Sequence, residues 1–504
     1  MKDNKPKNKK NDELETQPVI KPMLHEGHNP KTRRDFMAQG FLGLTAFALA
    51  PSALSLLSRS AYGQTVGCVV PEKGFLTPVI IIDLAGGGNI AGSNVMVGGA
   101  GGQMDFLPTT SYNSLGLPPD FHPSLAGKVN NEMGLVFHSD SGMLRGIQSI
   151  ALPTTRTKVE GAVFCTTSDD DTGNNQSNPM YWLAKAGATG ELRPLAGTSQ
   201  SDSGGNSMAP AESINPSVAP VRIASDNDAT NLVSLGNKFN EFVGNSGSAG
   251  IIDTATKLSN KKLEMIDRRS LPDKIKELIG CSFSQTNEQL AKLTPQAVST
   301  LQADDPAIFN TFQMITNTGV RDRSRAITKL VLDGYIGAGT IVLGGYDYHD
   351  GSRASGDARD FELGQLIGAI MQTAALKQKD VVVYVLTDGG VAAGQATDDS
   401  VGGGGKFIWA GDSGQRSATF MMVYKKDGRP FIRTANKRQI GYYKTNGAVE
   451  GAAGLTSNSV VNTSKAMVAN YLALHGQEGK LAEVIGDDPF NSSLDRYLVF
   501  DKIR

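Results

Sequence analysis

The chain has 504 residues, of which 39% are hydrophobic and 20% charged, with a formal net charge of −1. Residues 1–63 hold ten Lys/Arg and six Asp/Glu, so the remainder carries −5. That balance argues against a nucleic-acid binder, which would show a basic patch. The length suffices for a large core, either in two to three domains or in one α/β domain with insertions.

The first 31 residues open with MKDNKPKNKKNDELETQ, too polar to build a core, and read as a disordered leader. Residues 32–63 read as a twin-arginine export signal. Thr32-Arg33-Arg34-Asp35-Phe36-Met37 precedes an apolar run from Gly40 to Leu57, and Ala61 and Gly63 offer small residues for cleavage near Gly63. The apolar run is 18 residues long and contains Pro51, short of the ~20 that a bilayer span needs. Thr65-Val66-Gly67-Cys68 faintly resembles a lipoprotein cleavage site, but it lies far from the apolar run. This export route carries folded proteins. The expected location is therefore the periplasm or beyond, with the twin-arginine translocation machinery as a partner. No later segment reads as a membrane span.

Residues 64–504 read as one α/β domain. Val79 to Leu84 is a β-branched run followed by Gly86-Gly87-Gly88, which predicts a strand buried on both faces and a sharp turn. Residues 133–138 and 159–164 predict two more strands, and residues 198–217 a polar loop. Residues 253–317 alternate helical patterns with caps and predict a helical insert. Residues 340–343 and 380–386 predict a βαβ unit, two strands paired in parallel and joined by a helix that Asp360 would cap, with Phe361, Leu366, Ile370 and Ala374 on one face. Residues 418–424 predict another strand, and Thr463 to His475 a helix. The sum is a three-layer α/β/α sandwich with a mainly parallel central sheet. Cys68, Cys165 and Cys281 remain after cleavage. Their spacing matches no zinc motif, and an oxidising compartment permits a disulfide, for which Cys68–Cys281 is the expected pair.

Ligands bind at the C-terminal edges of strands in open α/β sheets. Asp83 ends the first strand. Asp347 and His349 follow the strand at 340–343, Asp388 follows the strand at 380–386, and Asp412 precedes the strand at 418–424. Carboxylates and an imidazole on one edge can hold a divalent metal. Each Asp alone more often caps a turn. The glycines after Leu84 do not form a dinucleotide fingerprint, because no helical pattern follows them in register.

The segments VIIIDLAGGGNIAGSN, His122-Pro123-Ser124-Leu125, GGYDYHDG with its following helix, VVVYVLTDGG and Ala466 to Gly476 carry a resemblance. They resemble the alkaline phosphatase/sulfatase superfamily, and within it a bacterial family of twin-arginine-exported, sulfatase-like proteins of unknown function. The resemblance covers most of residues 75–490. It implies an alkaline phosphatase-like fold and a metal-facing set of Asp83, Asn89, Asp347, His349 and Asp388. The superfamily's nucleophile falls in the stretch Cys165 to Asp171. That stretch lacks Cys-x-Pro-Ser-Arg, which leaves the hydroxyls of Thr166 and Thr167 as candidates. The acidic run Asp169 to Asp171 also reads as a Ca²⁺ loop or as a solvated loop.

The sequence departs from the family pattern. Ile90 and Gly389 stand where Asp and His are usual, and Asp412-Ser413-Gly414 lacks a His. His122, His138, His349 and His475 are the histidines left after cleavage. A two-zinc site is not expected. The donor set favours one divalent metal, Ca²⁺ or Mg²⁺ over Zn²⁺, or none. Two functions follow as expectations: a metal-dependent hydrolase of small phosphate or sulfate esters, or a non-catalytic binding or secretion-associated protein on a degenerate hydrolase fold.

Overall fold

The computed structural model of the chain describes residues 76–169, 175–233, 261, 306–348, 351–434 and 437–503. The export signal, Cys68, Cys281, His349 and most of the expected insert lie outside them. The strands are β1 (Val79–Leu84), β2 (Val129–Asn130), β3 (Phe137–His138), β4 (Val159–Cys165), β5 (Arg193–Gly197), β6 (Val221–Arg222), β7 (Ile336–Leu343), β8 (Val381–Thr387), β9 (Val391–Asp398), β10 (Lys406–Asp412), β11 (Ala418–Tyr424) and β12 (Gln439–Ile440).

Eight of them form one mixed sheet in the order β12-β4-β11-β8-β1-β7-β5-β6. The register pairs make β11 antiparallel to both its neighbours, while the other strands run one way. β1 is fully buried along its length, as a strand covered on both faces must be. Its side chains alternate between two cores. Ile80, Ile82 and Leu84 meet the helices Gly142–Ile150, Thr318–Leu332 and Ala354–Leu376. Val79 and Ile81 meet the helices Met180–Lys185, Val460–Leu474 and Leu481–Ile485. Each such side chain contributes about 1.5–3 kcal/mol by leaving water. The architecture is α/β with helices on both sides of the sheet.

Three expectations change. β7 and β8 are parallel, but β1 lies between them, with Val79 facing Ala338 on one side and Val382 on the other. The segment 133–138 keeps only the short strand β3, because its first residues turn through Gly134 at φ +76°. The long helix starts at Ala354 and not at Asp360. Its end is capped from outside: Asp398 Oδ2 accepts the N–H groups of Arg353 and Ala354, each at 3.0 Å. The Ser400 hydroxyl and then those two N–H groups hold the Asp398 carboxyl down at about 2. Of the expected insert, the described part contains the helix Pro306–Gln313, whose following residue Met314 accepts a bond from Gln365 on the long helix at 3.2 Å.

Candidate functional site

Because all strands but β11 point the same way, the loops after β1, β4, β5, β7 and β8 share one edge with the approach to β11. Ala85 N–H donates to Leu343 O at 2.9 Å, Gly88 N–H to Gly389 O at 3.2 Å, and Ser413 N–H to Gly390 O at 2.7 Å. Asp83 and Asp388 are buried at this edge.

Asp83 Oδ2 accepts three bonds from the loop after β5: Asn206 N–H at 2.6 Å, Ser207 N–H at 2.8 Å and Ser207 Oγ–H at 2.7 Å. Its Oδ1 is buried with no hydrogen-bond partner among the described residues. Burial raises the Asp83 carboxyl above its ordinary range, against the lowering effect of these donors. Asp388 Oδ2 accepts Gly86 N–H at 3.0 Å and Asn206 Nδ2–H at 2.9 Å. Asn206 therefore ties the two acids together from an exposed position. The loop can come this close because residue 205 is glycine: a Cβ there would sit 2.2 Å from Asp83 Oδ2. Asn206 and Ser207 belong to the segment expected only as a polar loop. The run Gly204-Gly205-Asn206-Ser207 was its one local signal of a tight approach.

The remaining expected residues divide. Asp347 is exposed and lies against the turn after β1, where a Cβ on Gly86 would meet its backbone nitrogen at 2.5 Å. Asn89 belongs to a different network. Its side chain donates to Ser93 Oγ at 2.7 Å and to Asp360 Oδ2 at 3.5 Å. Thr166 is fully buried and its hydroxyl donates to Thr456 O at 2.9 Å. Thr167 Oγ1 donates to Asn458 Oδ1 at 3.0 Å. In the same stretch the Ser168 hydroxyl donates to the backbone carbonyl of Asp388 at 2.5 Å. Cys165 is buried, unbridged, and its thiol is pushed up by burial. Asp412 ends β10 in a hairpin and is exposed.

Three of the four expected histidines brace the fold. His122 contacts Ser124 Oγ at 2.7 Å and Leu107 O at 3.0 Å. His138 contacts Phe121 O at 2.8 Å, and burial lowers it to about 4. His475 Nε2 accepts Thr77 N–H at 3.0 Å, and its Nδ1 contacts Tyr471 O at 2.7 Å.

Among the described residues no group of three or more His, Cys, Asp or Glu side chains is placed to hold a metal ion. The groups aimed at Asp83 and Asp388 are N–H and O–H donors, which suit a carboxylate used as an acceptor. These residues by themselves do not make a metal ligand set.

Another buried acid lies beside the turn after β1. Asp360, in the second turn of the long helix, faces inward, and a cap assignment misses it. Its Oδ2 accepts Asn94 Nδ2–H at 2.7 Å and its Oδ1 accepts Tyr348 Oη–H at 3.0 Å. Tyr348 in turn accepts Asn89 N–H at 2.7 Å. Burial, then the charge of Asp357, pushes Asp360 up to about 7. Asp357 is shared between Arg353 Nε at 2.8 Å and Lys406 Nζ at 2.5 Å. Arg353 is fully buried and stacks on Trp409 at 4.3 Å.

No protein-family model matches the chain, and no curated protein matches it. No helix among the described residues is long and apolar enough to cross a membrane.

Proposed function

We propose that this is an exported envelope protein on an alkaline phosphatase/sulfatase-like α/β domain, whose strand edge serves a binding or secretion-associated role and not ester hydrolysis. One observation carries the reading: Asn206 spans Asp83 and Asp388, so both acids hold down the loop after β5. A carboxylate engaged in this way is a structural brace. The Thr166 hydroxyl, bonded to Thr456 O in a fully buried position, is likewise committed. The twin arginines direct the folded chain through the translocation machinery to the periplasm.

A second reading, a hydrolase of small anionic phosphate or sulfate esters, is favoured by the unpartnered Asp83 Oδ1. Asp83 and Asp388, with His349 and Asp347, would then hold one Ca²⁺ or Mg²⁺. The metal would polarise the ester oxygen.

The experiment is an ester screen, with metal analysis, on protein exported by its own signal and purified without chelator. The binding reading expects no turnover and no stoichiometric metal. It also expects Thr166→Val to lower stability by about 1 kcal/mol, the net value of one hydrogen bond, because Thr456 O keeps the Thr463 hydroxyl as a donor at 2.9 Å. Turnover abolished by Asp83→Asn or Thr167→Ala would overturn it. Replacing Arg33-Arg34 by two lysines should leave the precursor in the cytoplasm. Normal export of that variant would remove the envelope assignment.

A further inference from the structure

A cavity of about 670 Å³ opens beside the first residues of β4, lined by loop 101–105, segment 131–136 and two arginines that follow β11, Arg429 and Arg438. That volume is in the range that holds organic ligands, roughly 300–1,000 Å³. It does not involve Asp83, Asp388 or the loop that ties them.

Both guanidinium groups are fixed before any ligand arrives. Arg438 forms a two-pronged pair with the buried Glu160, Nε to Oε1 at 2.7 Å and Nη2 to Oε2 at 3.0 Å. Arg429 donates Nε to Thr157 O at 3.1 Å and Nη2 to Glu132 O. Glu132's own carboxylate is taken by Arg156 at 2.9 Å. Among the described residues the hydrogen-bond acceptors of Arg429 are thus neutral carbonyls. In each arginine the bonds use Nε and Nη2, and the Nη1 group remains for a ligand. A planar fork held in this way suits a carboxylate or similar oxyanion.

The floor is shaped for the same purpose. Residue 134 is a glycine at φ +76°, and a Cβ there would lie 2.0 Å from Glu160 Oε1, the acid that positions Arg438. Asp105 lines the cavity from the loop, its Oδ2 accepting Gly101 N–H at 2.9 Å. Met104 and Val136 add apolar surface. An acid beside two guanidinium groups selects a ligand that carries both an oxyanion and a hydrogen-bond donor.

We propose that this cavity binds a small organic acid bearing a hydrogen-bond donor, the oxyanion on Arg429 and Arg438, the donor on Asp105 and the apolar part on Met104. The site is independent of whether the strand edge hydrolyses esters.

Calorimetric titration of the purified protein with alanyl-alanine and with galacturonate tests this, and separates a peptide acid from a sugar acid. At least one should bind. The counterpart lacking the carboxylate, alanyl-alanine amide or galactose, should bind about tenfold more weakly or not at all, and Arg429→Gln should weaken the acid by a similar factor. Arg429 also ties two carbonyls, so Met104→Glu serves as a second variant. Met104 is 52% exposed, and a carboxylate at the rim should repel an acid without disturbing the fold. Lys480→Gln, at an exposed site elsewhere, should leave binding unchanged. Failure of both acids to bind, or binding indifferent to the carboxylate and to both cavity variants, overturns the proposal.

Discussion

Asp83 and Asp388 stand at the ends of neighbouring strands and accept hydrogen bonds from one residue, Asn206, through its backbone and its side chain respectively. The backbone bond survives any substitution at 206 except proline, while the side-chain bond needs the amide. The two acids can therefore be separated experimentally.

Asn206→Ala should lower stability by about 1 kcal/mol, the net value of one hydrogen bond, and leave Asp83 held by Ser207. Asn206→Asp should do worse, because it adds a carboxylate beside two others. Urea unfolding of the three proteins checks the order. Equal stability for wild type and Asn206→Asp would show that Asp388 does not depend on this amide.

Asp360 and His138 make opposite contributions to the pH dependence of stability. Asp360 rises from 3.8 to about 7 on folding. Between those values the native state binds more protons, so its contribution is full at low pH and is lost as pH rises toward about 7. His138 falls from 6.5 to about 4. Its contribution is present above 6.5 and is lost as pH falls toward about 4. The two oppose each other between pH ~4 and ~6.5. Asp360→Asn should remove the first, so that stability falls less with pH, or rises more, than in the wild type across that window; the raised Asp83 stays in both proteins. Unfolding free energies from pH 4 to 8 check this. A variant profile parallel to that of the wild type across this range would sink the assignment to Asp360.

Arg353→Ala should destabilise by about 3–5 kcal/mol. The side chain is fully buried, pairs with Asp357, donates to Gly116 O at 2.8 Å and stacks on Trp409. Lys406 would be left as the cation paired with Asp357. Arg353→Lys should recover only part of the loss, since an ammonium lacks the planar face that lies on Trp409. Calorimetric melting of both variants tests the order, and a loss below about 1 kcal/mol for Arg353→Ala would refute it.

The strands were legible where burial on both faces wrote unbroken apolar runs, as in β1, β8 and β11. Their spatial order was not, because a parallel strand carries no mark of its neighbour; nothing in β7 or β8 announces that β1 lies between them. Asp360 was misread for a related reason. An acid near a helix start satisfies the rule for a cap, and only the partners Asn94 and Tyr348, far away in sequence, turn it inward. The acids at the sheet edge were visible as strand-end residues. Their partners Asn206 and Ser207 were hidden in a loop without periodicity. Asn89 and Thr166 sit next to the right turns in sequence but bond elsewhere, since a one-residue change of direction after a strand redirects a side chain completely.

The central place of β1 bears on how the chain reaches its folded state. The first strand among the described residues is the one whose two ladders, to β7 and β8, wait for residues 336–387. Closing such long loops is entropically unfavourable until both ladders can form, and folds dominated by distant pairings assemble slowly. The early β-branched segment would meanwhile be exposed to other chains, so a nascent polypeptide of this kind gains from a chaperone until its C-terminal half is made.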